Sequence, residues 1–283
     1  MNYSVLMSLY IKENPKNLKR AIDSMINQTF KPSEIVIVKD GQITSELQNV
    51  LDFYENKYPC LFKIVGYSEN KGLGFALNYG LQNCSFELVA RMDTDDISRE
   101  NRCEQQLKIL KDHPEIDIVG GDIAEFAENE NNIIGERRVP IDDKEIKDFM
   151  KKRCPFNHMT VMFKKKSVLN AGNYQEWFWN EDYYLWIRMF ENDCRFMNTG
   201  TVLVDVRTGN DMFSRRGGKK YYNSEVMLQN YMLQHHIITY STYIKNRLKR
   251  LIVQRILPVL FRGWIYKKFA RAKYRRENIR NEK

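Results

Sequence analysis

Cysteine, histidine and proline are scarce in this 283-residue chain, and long apolar runs are missing. The five cysteines, Cys60, Cys84, Cys103, Cys154 and Cys194, are odd in number and widely spaced, with no Cys-x-x-Cys pair, and the four histidines do not cluster with them. Neither a disulfide framework nor a zinc site is signalled. Two nucleotide-loop fingerprints are also absent: no Gly-x-x-x-x-Gly-Lys-Ser/Thr occurs, and no Gly-x-Gly-x-x-Gly follows the first strand pattern. No run of about 18 apolar residues is present, and Met1-Asn2-Tyr3-Ser4-Val5 lacks the basic-then-apolar profile of a signal peptide. A reducing, cytoplasmic location is expected. Apolar residues make up 43% of the chain and charged residues 29%, which excludes collagen-like and wholly disordered readings.

The formal charge is +9, from 45 Lys and Arg against 36 Asp and Glu, and its placement decides what it means. Residues 241–283 hold 14 basic side chains and only two acids, Glu277 and Glu282, so this tail carries +12 and residues 1–240 carry −3. A nucleic-acid enzyme would place basic residues around its cleft, so nucleic acid is not the expected partner. A sheet-and-helix body with a basic extension fits an anionic surface.

The first 120 residues alternate strand and helix signals. Ser4 to Leu9 is a short apolar run; Asn14-Pro15 then offers an N-cap and first-turn pair before Leu18, Ala21, Ile22, Met25 and Ile26 at helical spacing. Further strands are predicted at 34–38, 61–65 and 86–92, with helices through Leu47 to Tyr54 and Leu73 to Leu81 between them. Such alternation predicts an α/β fold with a parallel sheet, because parallel strands need crossover helices. After 116–126 the alternation loosens into a loop over 125–132, and later signals are strands at 159–163 and 202–206 and a helix around 182–191. From Tyr221 onward the pattern is helical, interrupted at Pro258.

Ligands of parallel sheets gather at the carboxyl ends of the strands, and acids recur there. Asp93, Asp95 and Asp96 stand within four residues, an arrangement that like-charge repulsion disfavours unless a divalent cation neutralises it. Carboxylate oxygens suit Mg2+ or Mn2+, which complete their shells with water and phosphate oxygens. In isolation the same cluster also reads as a solvated turn capping a helix near Ser98. A second acidic site is Glu181-Asp182, set in the aromatic run Trp177-Phe178-Trp179-Asn180-Glu181-Asp182-Tyr183-Tyr184. Partial desolvation raises the proton affinity of such a group and a helix start lowers it, which suits a general base; ordinary first-turn acids are the competing reading. His158 precedes a strand pattern, where it serves either a phosphate or hydroxyl contact or a hydrogen-bonded core position. His235 and His236 are neighbours in a helical pattern and point apart, so they do not share a metal.

Taken in order, these segments are similar to the family-2 glycosyltransferases: an opening strand, an Asp-Gly strand end, Glu69-Asn70-Lys71-Gly72 before a helix, Asp93-Thr94-Asp95-Asp96, and Glu181-Asp182 followed by Leu185-Trp186. Tyr3-Ser4-Val5-Leu6-Met7-Ser8 with Glu13-Asn14-Pro15, Ile37-Val38-Lys39-Asp40-Gly41, and Arg215-Arg216-Gly217-Gly218 resemble, more narrowly, the amylovoran-type bacterial exopolysaccharide and O-antigen branch. The resemblance implies the GT-A fold, with a mostly parallel central sheet, helices on both faces and a helical basic extension. It also implies an inverting transfer of a hexose or N-acetylhexosamine from a nucleotide sugar, UDP-linked by expectation, to a lipid-diphosphate-linked saccharide.

Residue by residue, the resemblance assigns Ser8, Tyr10 and Glu13 to the nucleotide pocket, Asp40 to the base, and Lys71, Arg215 and Arg216 to the nucleotide diphosphate. It assigns Asp93 to the ribose and metal and Asp95 to the metal, Mn2+ or Mg2+, with Asp96 a further candidate. Asp182 takes the place of the catalytic base, and Glu181, His158 and Trp179 lie on the acceptor side. The sequence departs from the pattern at Leu9-Tyr10-Ile11, where Thr-Tyr-Asn is common, and at Lys39, which replaces the first of two acids.

The expected organisation is a catalytic domain over 1–220 and a helical, basic, amphipathic region over 221–283. There Leu248, Leu251, Ile252, Ile256, Val259, Leu260 and Trp264 fall near one helical face, flanked by Arg247, Lys249, Arg250, Arg255, Arg262 and Lys267. Such a helix suits an anionic membrane interface, here the inner face of the cytoplasmic membrane. Its competing reading is packing on the body or on the second subunit of a homodimer. Two other functions fit less. A sugar-nucleotide pyrophosphorylase needs a Gly-rich basic loop where Tyr10-Ile11-Lys12-Glu13 stands, and a nucleic-acid-binding protein leaves both acidic sites without a purpose.

Overall fold

The computed structural model describes residues 1–127, 130–208 and 218–256. The chain opens with β1 (Tyr3–Leu9), α1 (Pro15–Ile26), β2 (Glu34–Asp40), α2 (Ser45–Lys57), β3 (Phe62–Tyr67), α3 (Leu73–Asn83) and β4 (Leu88–Arg91). Helix α1 starts where capping chemistry places it: the Asn14 side chain accepts from the Lys16 N–H, Pro15 occupies the first turn, and Leu18, Ala21, Ile22 and Met25 are buried. Strands β1, β2, β3 and β4 are parallel neighbours in the order β3-β2-β1-β4.

Alternation along these strands builds two cores. Leu6, Val36 and Val38 face a cluster with Ala76, Leu77 and Leu81 of α3. Their neighbours Val5, Met7, Ile35 and Ile37 face the opposite cluster, with Leu18, Ile22 and Met25 of α1 and Leu47 and Leu51 of α2. Burial on both faces is why the strands read as continuous apolar runs.

Beyond β4 come β5 (Ile97–Ser98), α4 (Arg102–Asp112), β6 (Ile118–Phe126), β7 (Ile133–Arg137), α5 (Asp143–Met150), β8 (Met162–Lys164), α6 (Lys165–Asn170), α7 (Glu181–Glu191) and β9 (Phe196–Arg207). Strand β8 runs antiparallel between β4 and β6, and β9 pairs parallel with β6, so one sheet of nine strands spans the body. The strand expected at 159–163 is instead a 3-10 turn, His158–Thr160, followed by β8. The Thr160 hydroxyl donates to the Asn157 carbonyl at 2.7 Å, which closes that turn. The short strands β5 and β7 carry too few residues for a periodic signal.

Helices α8 (Lys219–Gln234) and α9 (Tyr240–Leu251) complete the described chain, and α9 continues as a wider helical turn to Ile256. Leu228, Met232, Ile237, Ile238 and Tyr243 from this region join the cluster that covers α3 and α7. Helix α9 meets the body through Tyr243, Asn246 and Arg250, whereas Leu248 and Ile252 of the expected apolar face are exposed, which disfavours the reading that this face packs on the body. No helix among the described residues is long and apolar enough to cross a membrane. Val259, Leu260, Trp264 and the rest of 257–283 lie outside the described residues, as do Arg215 and Arg216.

Candidate active site

Strands β1, β2 and β4 end at Leu9, Asp40 and Arg91, and an acid stands at or shortly after each of these ends: Glu13, Asp40 itself, and Asp93 to Asp96. After β4, one carboxylate oxygen from each of Asp93, Asp95 and Asp96 lies within 4.8 Å of the others. Burial, then the neighbouring Asp93 and Glu13, push the Asp95 carboxyl up to about 7. Asp96, more deeply buried, is pushed well above the ordinary carboxylate range by burial, Asp95 and Asp93, although it accepts from the Arg207 N–H at 2.9 Å. Crowded hard oxygens with too little positive charge nearby are a donor set suited to a divalent cation. The Thr94 hydroxyl donates to Glu13 at 2.8 Å and approaches the Ser8 carbonyl at 3.5 Å, joining the first strand end to the acidic loop. Tyr10 is exposed on the same turn, and Glu13 also accepts from the Asn14 N–H at 2.7 Å.

At the second strand end Asp40 is buried and saturated. One carboxylate oxygen accepts from the Tyr67 hydroxyl at 2.8 Å and the Lys71 N–H at 2.7 Å; the other accepts from Asn70 Nδ2 at 2.9 Å and the Gly72 N–H at 3.1 Å. Four donors occupy the lone-pair directions of one carboxylate. Asp40 therefore shapes the loop over residues 70–72, and a direct contact with a base would have to displace one of these donors. Gly72 needs its glycine: φ is +90°, and an added Cβ would press on the Glu176 carboxylate. Lys71 points outward, its ammonium 4.6 Å from the Phe75 ring centre and 5.5 Å from that of Tyr67.

Glu181 and Asp182 occupy the first turn of α7. Burial, then Asp182, raise Glu181 to about 8. Burial also raises Asp182, opposed by the Tyr183 N–H, the Cys154 thiol, Arg137 and Arg91. Trp179, two residues before, has φ +58°, stays exposed and stacks on Phe178 with ring centres 5.4 Å apart. His158 Nε2 meets the Tyr174 hydroxyl at 3.0 Å, and burial, then Arg91, hold its proton affinity well below the usual value. It is a neutral imidazole.

Four side chains that the sequence left unassigned complete this geometry. Arg91, the last residue of β4, is 2% exposed and forms an ion pair with Asp93, while its Nε and Nη1 have no hydrogen-bond partner among the described residues. Its charge is felt by Asp96, His158, Tyr174, Glu181 and Asp182 alike. One buried guanidinium thus serves both acidic groups. Cys154 places its thiol 3.4 Å from Asp182 Oδ2, and Arg137 Nη2 donates to the Cys154 carbonyl at 3.0 Å. The available signal for Arg91 was a cation ending a buried strand immediately before three acids; Cys154, Arg137 and Tyr174 carried none.

Residues 4–172 match the family model described as glycosyl transferase family 2. The chain is 39% identical over 269 residues to an Escherichia coli UDP-Gal:alpha-D-GlcNAc-diphosphoundecaprenol beta-1,3-galactosyltransferase, covering 95% of this chain and 96% of that one. It is 38% identical over 268 residues to the amylovoran biosynthesis glycosyltransferase AmsE of Erwinia amylovora, covering 94% and 98%. Among solved structures, S. aureus TarS 1-349 superposes with a TM-score of 0.65 at 16% identity, covering 94% of this chain and 79% of that one. This likeness establishes the GT-A architecture of the sheet and helices.

Proposed function

The chain belongs to glycosyl transferase family 2 and is a glycosyltransferase, and from that premise we propose that it transfers a hexose from a UDP-sugar to a GlcNAc carried on a lipid diphosphate, with inversion. The nearly full-length relative whose name specifies UDP-Gal and GlcNAc-diphosphoundecaprenol supports the substrate class. The observation that carries the chemistry is the buried Arg91 shared by the Asp93 to Asp96 group and the Glu181-Asp182 pair, two acidic groups of unlike surroundings in one site.

An acceptor hydroxyl is a weak nucleophile, so a carboxylate within hydrogen-bond reach must take its proton as the new bond forms. Asp182 fills this role: burial raises its proton affinity, as a base requires, and the Tyr183 N–H, the Cys154 thiol and the two arginines oppose that rise. Glu181 beside it, protonated near neutrality, donates a hydrogen bond to the acceptor instead of competing for its proton. The exposed, stacked pair Phe178 and Trp179 offers the acceptor sugar an apolar face at the entrance.

On the donor side Asp95 and Asp93 would hold Mn2+ or Mg2+, and that ion, when bound, would supply Lewis-acid stabilisation of the departing diphosphate. Ser8, Tyr10 and Glu13 border the nucleoside, with Thr94 fixing Glu13. Asp40 acts on the nucleotide through the loop it holds, and Lys71, on an exposed and flexible stem, adds positive charge there. Arg215 and Arg216, which lie outside the described residues, are assigned to the diphosphate by the family resemblance alone. The basic C-terminal region keeps the enzyme at the inner face of the cytoplasmic membrane, where the acceptor resides.

The test is one incubation of the purified protein with Mn2+, a panel of UDP-sugars and diphospholipid-linked GlcNAc. The expected product is a disaccharide whose new linkage is β when the donor is α, read by NMR. Hydrolysis without transfer, or retention of the α configuration, would overturn the reading.

A further inference from the structure

Helix α9 is built inside out. Its inward face is polar: Asn246 Nδ2 donates to the Lys151 carbonyl at 2.8 Å and to Gln229 Oε1 at 2.7 Å. Arg250 pairs with Glu225 and donates from Nη2 to the Lys152 carbonyl at 3.0 Å. The Tyr243 hydroxyl donates to Asn230 at 2.7 Å. The outward face is apolar: Tyr240 is 67% exposed, Ile244 36%, Leu248 54% and Ile252 48%. These four recur every four residues, so they form one stripe along the helix and its continuation. A surface helix of a water-facing body normally shows the reverse arrangement.

The flanks of the stripe identify its occupant. Lys245, Lys249 and Arg255 are exposed beside it, and no acid occurs anywhere from 240 to 256. A second copy of the chain meeting this face by two-fold symmetry would bring both sets of cations together. An apolar stripe between basic rows is instead complementary to acyl chains below an anionic headgroup layer.

We propose that the Tyr240, Ile244, Leu248 and Ile252 face of α9 lies in the interface of an anionic phospholipid bilayer, with Lys245, Lys249 and Arg255 on the headgroups. The proposal rests on the reading above that the acceptor is anchored in a lipid membrane, and it redraws the contact face from side chains the structure leaves exposed, adding Tyr240 and Ile244 and dropping the inward Arg250 from its flank. The position suits the chemistry. The inward side chains of α9 hold the carbonyls of Lys151 and Lys152, just ahead of Cys154, whose thiol meets Asp182. Neighbouring α8 holds the aromatic entrance, since the Ser224 hydroxyl donates to the Phe178 carbonyl at 2.7 Å and accepts from Asn180 at 3.0 Å. Docking α9 on the bilayer therefore sets the acceptor side beside the lipid that carries the acceptor.

The test uses the full chain and vesicles of phosphatidylglycerol and phosphatidylcholine, or of phosphatidylcholine alone, with no sugar substrate present. Wild type is expected to co-sediment with the anionic vesicles and to be released by salt. The triple variant Ile244→Ser, Leu248→Ser, Ile252→Ser and the double variant Lys245→Glu, Lys249→Glu should each bind at least about tenfold more weakly. Both should keep transfer to a GlcNAc-diphosphate on a short, water-soluble alkyl chain within about twofold. Vesicle binding that survives both sets overturns the proposal, as does a wild-type dimer that the triple variant converts to monomer with vesicle binding unchanged. Because binding is read without donor or acceptor, its failure is distinguishable from failure of the substrate assignment.

Discussion

The thiol of Cys154 stands 3.4 Å from Oδ2 of Asp182 and equally 3.4 Å from the Phe156 carbonyl, so its one proton is shared between a carboxylate and a peptide oxygen. The Asp182 interaction favours the ionised carboxylate and lowers its proton affinity. Burial and Asp182 keep the thiol itself protonated. With Asp182 as the proposed base, Cys154 is a positioning residue for it. Cys154→Ala should lower kcat by about fivefold, the equivalent of about 1 kcal/mol, and move the acid limb of the kcat profile to higher pH. Cys154→Ser, which keeps a donor, should restore both. A pH profile unmoved by the alanine substitution would leave Cys154 as packing alone.

Asp182→Asn removes the proton acceptor while keeping size and the Tyr183 N–H contact. Loss of a general base typically costs about 10² to 10⁴ in rate. The fall should appear in kcat, with donor affinity kept, because the proposal places Asp182 on the acceptor side. Calorimetric titration of UDP into the variant separates the two effects; equal turnover in wild type and variant would remove Asp182 from the mechanism.

Asp40 answers a different question, how a strand end shapes a loop. Asp40→Asn replaces one accepting oxygen by a donor, which then faces donors from Tyr67 and Lys71 or from Asn70 and Gly72. An unpaired buried donor costs about 1 to 3 kcal/mol. The expected result is a lower melting temperature together with a raised KM for the nucleotide sugar, since the loop over 70–72 loosens. Unchanged KM with a lowered melting temperature would confine Asp40 to stability.

The parallel half of the sheet was legible because its strands are buried on both faces and its helices carry strong signals: Asn14-Pro15 starts α1 as its chemistry demands. The acids at the strand ends were legible from order alone. What stayed hidden depends on tertiary placement. Cys154, Arg137 and Tyr174 lie in segments with no motif, and only folding brings them to Asp182 and His158. Two readings of the Leu248 and Ile252 face stayed open, membrane contact and packing on the body, because helical periodicity reports which residues share a side but not which side packs. Asn246 and Arg250 found buried partners in Gln229 and Glu225, and this outweighed the burial of Leu248.

Arg91 offsets the charge of acids that are otherwise crowded together. Arg91→Met keeps much of the volume and removes the charge, leaving Asp93 without its ion-pair partner. Breaking a buried pair costs about 3 to 5 kcal/mol. A divalent ion bound by the same acids should recover part of that loss, since any ligand of the folded state stabilises it. Melting curves with and without Mg2+ should therefore show a larger metal-induced rise for the variant than for wild type. Equal melting temperatures in the absence of metal would count against Arg91 as the compensating charge.

Glu181 gives the clearest dependence on pH. Its carboxyl rises from the ordinary 4.5 to about 8, through burial and then the adjacent Asp182. Between those values the folded protein holds a proton that the unfolded chain has released, so stability falls as pH rises. The contribution is whole below about pH 4.5 and is lost progressively up to about pH 8, the opposite of an ion-paired acid. Glu181→Gln mimics the protonated form at every pH. Wild type and variant should therefore melt together near pH 4.5, and the variant should melt higher at pH 8, by about 2 to 4 °C for each kcal/mol in a chain of this size. The other buried acids, Asp182 included, are present in both proteins and largely cancel in the difference. A gap that does not change between pH 4.5 and 8 would mean that Glu181 is ionised throughout, and it would then compete with Asp182 for the acceptor proton.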